Sequence, residues 1–214
     1  DRLLSRGLGD VYKRQTGKST VFNALTGLNQ KVGNFPGVTV DKKTGRFNYR
    51  GIDFNLVDLP GSYSLKANSQ DEEVARDYIL TQTSKDDIIV VVADATNLRR
   101  NLLLFTEILD QQKQVVLALN MMDLIQKNQS DINLNELSKA LSCPVIPLNA
   151  RIGKGVEQLK EALHNYQPQF GRFLEESFDS ALKENEARMT KIQSILDQCL
   201  TNKGEDKALS LIHI

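Results

Sequence analysis

Two uninterrupted apolar runs, residues 88–93 and 115–119, constrain the fold more than any other feature of the chain. Alternation at every second residue would mark a strand with one wet face, whereas continuous Ile, Val, Leu and Ala predict strands covered on both faces. Between them, residues 97–113 place Leu102, Phe105 and Leu109 at helical spacing, which suits a crossover joining two parallel neighbours. The same alternation runs along most of the chain. Residues 20–28 read as a helix with Val21, Phe22 and Leu25 inward and Gly27 as its stop, followed by a loop holding Gly33, Pro36 and Gly37. Residues 46–49 and 53–57 read as a hairpin joined through Arg50-Gly51. Helical spacing returns over 71–81, with Val74, Tyr78 and Ile79 inward, and over 135–141 and 156–166, the last two flanking a strand at 145–148. This is the pattern of a doubly wound α/β domain with a mostly parallel sheet. Pro168 and Gly171 mark a boundary. Beyond it Leu174, Phe178, Leu182, Met189, Ile192, Leu196 and Leu200 give helical spacing without a strand signal, so a partial all-α domain is expected.

Composition removes several classes of function. Lys plus Arg is 27 and Asp plus Glu is 27, so no bulk charge draws the chain to a polyanion, and nucleic acid is not an expected partner. The apolar runs fall far short of the ~20 residues that cross a bilayer, and a soluble chain is expected. Cys143 and Cys199, with only His164 and His213 beside them, support neither a disulfide framework nor a structural zinc site. Reduced thiols in a cytosolic setting are expected. A chain of 214 residues has room for one ordinary domain and part of a second.

Ligands of such a sheet bind in loops at the carboxyl ends of its strands, and four of those loops carry polar signatures. Thr16-Gly17-Lys18-Ser19-Thr20 opens a helix: its backbone N–H groups favour an anion, Lys18 can reach the β- and γ-phosphates of a nucleotide, and the Ser19 hydroxyl can ligate Mg²⁺. Asp58-Leu59-Pro60-Gly61 follows a strand, so that Asp58 can hold Mg²⁺ through water and the Gly61 N–H can approach the γ-phosphate. In Asn120-Met121-Met122-Asp123 a carboxylate can accept from the N1–H and exocyclic amine of guanine, with Met121 covering the base. Asn149-Ala150-Arg151 offers a backbone N–H near Ala150 to the guanine 6-oxo group. Each motif alone reads as a turn or a helix cap. Their order and their separations of 41, 62 and 29 positions turn them into one guanine-nucleotide site. Gly37-Val38-Thr39, between the first helix and the hairpin, then supplies a mobile loop whose Thr39 can ligate Mg²⁺ when a γ-phosphate is present. Lys18, Thr39 and Gly61 are the catalytic candidates, and Ser19, Thr39 and Asp58 the metal ligands.

The runs TGKSTVFNALTGLNQKVGNFPGVTVDKKTG, DLPGSYSL and NMMD resemble the cytosolic GTPase domain of the ferrous iron transport protein B (FeoB) family. The resemblance covers about residues 16–155, and the helical tail is similar to the start of that family's helical domain. It implies a P-loop GTPase fold, GTP and GDP as ligands with Mg²⁺, and slow hydrolysis. It also implies a regulatory role toward a membrane Fe²⁺ transport domain, on the cytoplasmic face of the bacterial inner membrane. The family's activating K⁺ takes an Asn two positions before the second glycine of the phosphate loop; Gln15 stands there.

Residues 1–15 depart from the pattern. Tyr12 occupies the first-glycine position of GxxxxGK[ST], and residues 3–11 make a poor buried strand. A central strand with three or four large apolar side chains represents about 5–12 kcal/mol, against a whole-domain stability of about 5–15 kcal/mol. Asp-Val-Tyr-Lys-Arg-Gln at 10–15 looks like translated adapter sequence and Leu-Ser-Leu-Ile-His-Ile at 209–214 like a similar scar, so residues 1–15 and 209–214 are expected to be non-native, flanking a GTP-binding domain at 16–167 and a partial helical domain at 168–208. Two other functions compete with the transporter reading: a stand-alone GTPase of ribosome assembly, and a fragment defective in nucleotide binding. The residue after Gly61 is Ser62, where related GTPases place the Gln that orients the attacking water, which predicts slow turnover.

Overall fold

The computed structural model describes residues 16–127, 130–168 and 171–202. The expectations placed on residues 1–15, with Tyr12 and Gln15, and on 209–214 lie outside the described residues. Helix α1 (Lys18–Thr26) buries Val21, Phe22 and Leu25 and ends at Gly27, whose φ of 61° lets its N–H turn back to Asn23. Strands β1 (Gln30–Asn34), β2 (Asp41–Tyr49) and β3 (Ile52–Asp58) form an antiparallel sheet in that order. The hairpin lies where the sequence places it: Tyr49 pairs with Ile52, and Arg50 and Gly51 adopt the two positive φ values, 49° and 85°, of a type I′ turn. Strand β1 takes the place of part of the expected loop and includes Gly33. All five of its residues are exposed, so no apolar alternation marks it. At Gly45 of β2 the sheet approaches α1 so closely that a Cβ would strike the Thr26 methyl and come within 3.0 Å of the Phe22 ring.

Helix α2 (Gln70–Asp77) is capped by the Ser69 side chain, which accepts from the Glu72 N–H. It runs into a π-helical turn at Tyr78–Gln82. Ala75 and Ile79, four residues apart on one face, are buried, while Val74 and Tyr78, expected inside, stay half-exposed. Strands β4 (Ile88–Asp94), β5 (Gln114–Asn120) and β7 (Val145–Pro147) form the parallel sheet, with β5 central and buried at every position. Strand β4 departs from the expected two-sided burial, for only Val91 and Ala93 of its residues are buried. It pairs with β5 on one side. Its other side borders a cleft of about 460 Å³ whose lining includes Val90 and Val92, Phe54 and Leu56 of β3, and Val21 and Leu25 of α1.

Helices α3 (Leu98–Asp110), α4 (Met122–Lys127), α5 (Leu134–Leu141) and α6 (Val156–His164) complete the alternation. One core cluster holds Leu102, Phe105, Leu117 and Leu119, and a second holds Val116, Ala118, Leu148 and Leu159, so the sheet is covered on both faces. The C-terminal helix α7 (Ala181–Cys199) contributes Ile192, Ile195, Leu196 and Cys199 to the first cluster and thus shares the core of the α/β unit. Two expectations for this tail need correction. Residues 171–179 are not helical, with Phe173 rather than Phe178 buried; and β8 (Leu200–Asn202) pairs antiparallel with β6 (Ser130–Ile132). A three-residue strand is too short to show a period. Arg188 of α7, 3 % exposed, pairs with Asp110 at 2.6 Å and Glu184 at 2.8 Å, and Asp110 also accepts from the N–H groups of Phe173 and Leu174.

Candidate functional site

The end expected to face phosphate is built from α1 and β3. Gly17 enters α1 with φ 77°, and a side chain there would collide with the Asn120 amide, so only glycine fits. No acidic side chain stands in the first turn of α1, which leaves its N–H groups and dipole open to an anion. Lys18 donates from Nζ to the Asp58 carboxylate and to the Leu59 carbonyl, oxygen acceptors of the kind a polyphosphate presents. Asp58 ends β3 with its side chain 9 % exposed. Ser19 and Thr20 are exposed in the first turn of α1. Leu59, Pro60 and Gly61 line a cavity of about 110 Å³ together with Thr16, Lys18 and Tyr63. Ser19, next to Lys18 in α1, and Asp58, which Lys18 contacts, therefore lie at the same end of the fold. Gly37, Val38 and Thr39 lie on a loop closed by the Phe35 N–H donating to Val40 at 2.9 Å; Thr39 is exposed and lines neither cleft beside Lys18.

The end expected to face the base is organised by Asn120, the last residue of β5 and 5 % exposed. Its Nδ2 donates to the Thr16 carbonyl at 3.0 Å, and its Oδ1 accepts from the Ala150 N–H at 3.0 Å. One amide thus joins the phosphate loop to the fourth motif. Sequence reading assigned Asn120 to the base-binding motif but missed this link, because the contact spans 104 positions. It also offered a backbone N–H near Ala150 to the guanine 6-oxo group; the Ala150 N–H itself is engaged by the Asn120 amide oxygen, which is buried and takes this donor. Met121 adopts φ 64° and stays half-exposed, and the Met122 N–H donates to Leu148 at 3.3 Å. The chain reverses there and sets half-buried Asp123 in the first turn of α4. Asn149 and Lys154 exchange backbone hydrogen bonds of 3.0 and 3.1 Å around the Ala150–Ile152 turn, which leaves Arg151 exposed.

A third group was not foreseen. The loop after Gly61 is tied to α3, where Glu107 accepts from the Ser64 hydroxyl at 2.9 Å and from the Leu65 N–H at 2.6 Å. The Arg100 guanidinium lies 3.9 Å from the Tyr63 ring centroid. Ser62 donates its hydroxyl proton to the Ser64 carbonyl at 2.5 Å.

Comparison with known proteins places this arrangement in context. A family model described as "Ferrous iron transport protein B" matches residues 11–163. The Fe(2+) transporter FeoB of Escherichia coli strain K12 is 43 % identical over 164 residues, covering 75 % of this chain and 21 % of the relative. FeoB of Salmonella typhimurium is 42 % identical over 163 residues. The chain thus spans about a fifth of the length of these relatives. Among solved structures, the cytosolic domain of T. maritima FeoB in its GMPPNP form superposes with a TM-score of 0.80 at 30 % identity, covering 88 % of this chain and 96 % of that one. The cytosolic domain of L. pneumophila FeoB gives 0.79 at 31 % identity with the same coverage. Among the described residues no helix is long and apolar enough to cross a membrane.

Proposed function

The chain belongs to the ferrous iron transport protein B family and carries its P-loop GTPase fold, and on that premise we propose that it binds GTP and GDP at the four loops and hydrolyses GTP slowly. Its role in the longer protein is regulatory, on the cytoplasmic face of the membrane, with the Fe²⁺ transport domain as partner. The observation that carries the reading is the Asn120 amide, which makes the Gly17-Lys18 loop and the Asn149-Ala150 loop parts of one site.

Each side chain then has a task. Lys18 exchanges the Asp58 and Leu59 oxygens for phosphate oxygens and stabilises charge that develops on them. Gly61 directs its N–H toward the γ-phosphate. Asp123 accepts from the guanine N1–H and amine, a donor edge that adenine lacks. Ser19, Asp58 and Thr39 fit a hard cation by their oxygen donors, Thr39 only after its loop turns inward, and Mg²⁺ held there neutralises phosphate charge. The K⁺ position falls at Gln15 instead of the family's Asn, so the chain as given gains little acceleration from K⁺ over Na⁺. Slow turnover follows from Ser62, whose hydroxyl is committed to the Ser64 carbonyl, so that backbone groups are left to orient water. The relatives favour this reading over a ribosome-assembly GTPase.

Titration with a fluorescent GDP, competed by GTP, GDP and ATP, tests it against a binding-defective fragment. GTP and GDP compete, and ATP is weaker by at least about 100-fold. Phosphate release then measures turnover. A folded chain with no saturable guanine-nucleotide binding, or with equal competition by ATP, overturns the proposal.

A further inference from the structure

We propose that Glu107 is a positioning residue for GTP hydrolysis, holding the loop beyond Asp58-Leu59-Pro60-Gly61 so that the Gly61 N–H faces the reacting phosphate. The inference rests on the GTP-hydrolysis reading above. Glu107 lies on the buried side of α3, 9 % exposed, beside Thr106 and Ile108. A carboxylate seldom stays buried without donors to satisfy it. Here they come from the loop: the Ser64 hydroxyl on Oε1 and the Leu65 N–H on Oε2, each carboxylate oxygen taking one.

The anchor is three residues past Gly61. Of the two residues between, Tyr63 stacks on Arg100, another α3 side chain, and Ser62 is turned back onto Ser64. Few free torsions remain between Gly61 and a rigid helix. The groups proposed to bind the ground state, Lys18 and Asp123, make no contact with Glu107. Loss of the anchor should therefore misalign the chemical step and leave nucleotide binding in place.

Three variants separate this from a purely structural role. Glu107→Ala removes both acceptors and lowers kcat for GTP by about 10-fold, with KM and GDP affinity within about twofold of the parent. Glu107→Gln keeps the shape and one acceptor oxygen and gives an intermediate kcat. Glu107→Asp, one methylene too short, behaves like the alanine variant. Hydrogen exchange supplies a readout that needs no turnover: the Leu65 amide exchanges at least about 10-fold faster in Glu107→Ala, while the Ala150 amide is unchanged. Unchanged kcat in folded Glu107→Gln and Glu107→Ala, or an equal loss of kcat and GDP affinity, overturns the positioning role. Unchanged Leu65 exchange overturns the anchor itself. A parent chain that binds GTP without hydrolysing it defeats the hydrolysis reading and the positioning role with it, and the exchange result then decides the anchor alone.

Discussion

Replacing Asn120 with alanine should separate the two ends of the site. The side chain makes two hydrogen bonds of 3.0 Å, and removing it leaves the Ala150 N–H, in a residue 5 % exposed, without its partner. A stranded buried donor costs about 1–3 kcal/mol, and the lost bond to the half-buried Thr16 carbonyl about 1 kcal/mol more, so Asn120→Ala should destabilise the chain by about 2–4 kcal/mol. Asn120→Asp keeps an acceptor for Ala150 but offers Thr16 no donor, and should cost roughly half as much. Urea denaturation followed by circular dichroism reads both, and guanine-nucleotide titration of the folded variants reads the site. Both should bind GDP more weakly than the parent, because Gly17 and Lys18 lose their tie to the base-reading loops. A loss below about 0.5 kcal/mol for Asn120→Ala, or parental GDP affinity in both variants, would refute the idea that this amide assembles the site.

Asp123→Asn places a donor where guanine needs an acceptor and should weaken GTP by about 30- to 1000-fold while strengthening XTP, whose 2-oxo group accepts from the new amide. Competition titration checks this, and equal loss of both nucleotides counts against base reading by Asp123. Burial pushes the Cys143 thiol up to about 12 from 9.0. The buried thiol favours the protonated form, so its contribution is complete below pH 9.0 and is lost as pH rises from there toward about 12. Denaturation midpoints of the parent should fall over that range more steeply than those of Cys143→Ala. Replacing residues 1–15 by a β-branched strand ending in Gly-Asn-Pro-Asn should raise GTP affinity at least about tenfold and make hydrolysis faster in K⁺ than in Na⁺. Equal affinity and equal rates in the two salts would count against both expectations.

Periodicity was enough to locate the elements whose side chains are sorted by burial. Strand β5, helix α3 and the Arg50-Gly51 hairpin follow directly from apolar spacing and turn chemistry. What stayed hidden lacked that sorting: β1 is exposed along its length, β8 is three residues long, and the buried face of α2 runs through the small Ala75 and not through Val74. The four loops proposed to form the site could be singled out because the chemistry proposed for them depends on local residue types in a fixed order. Asn120 was legible as a motif residue, but its bond to Thr16 depends on how distant strands align. Glu107 lies beside the Leu102, Phe105 and Leu109 stripe of α3, and nothing in its neighbours' identity says that its partners come from another loop.

The close approach at Gly45 bears on how a mutational screen of this domain should read. The space a side chain would need there is filled by Thr26, at the far end of α1 from Lys18, and by Phe22 at its middle. Helix α1 spans nine residues, about 14 Å at 1.5 Å per residue, as one continuous hydrogen-bonded rod. Any substitution at Gly45 pushes that rod, and the rod carries Gly17 and Lys18 at its other end. Position 45 should therefore score as a loss-of-function site in saturation mutagenesis although it belongs to none of the loops proposed to face the nucleotide. A map of inactivating changes would then trace the mechanical support of the phosphate loop as well as its chemistry.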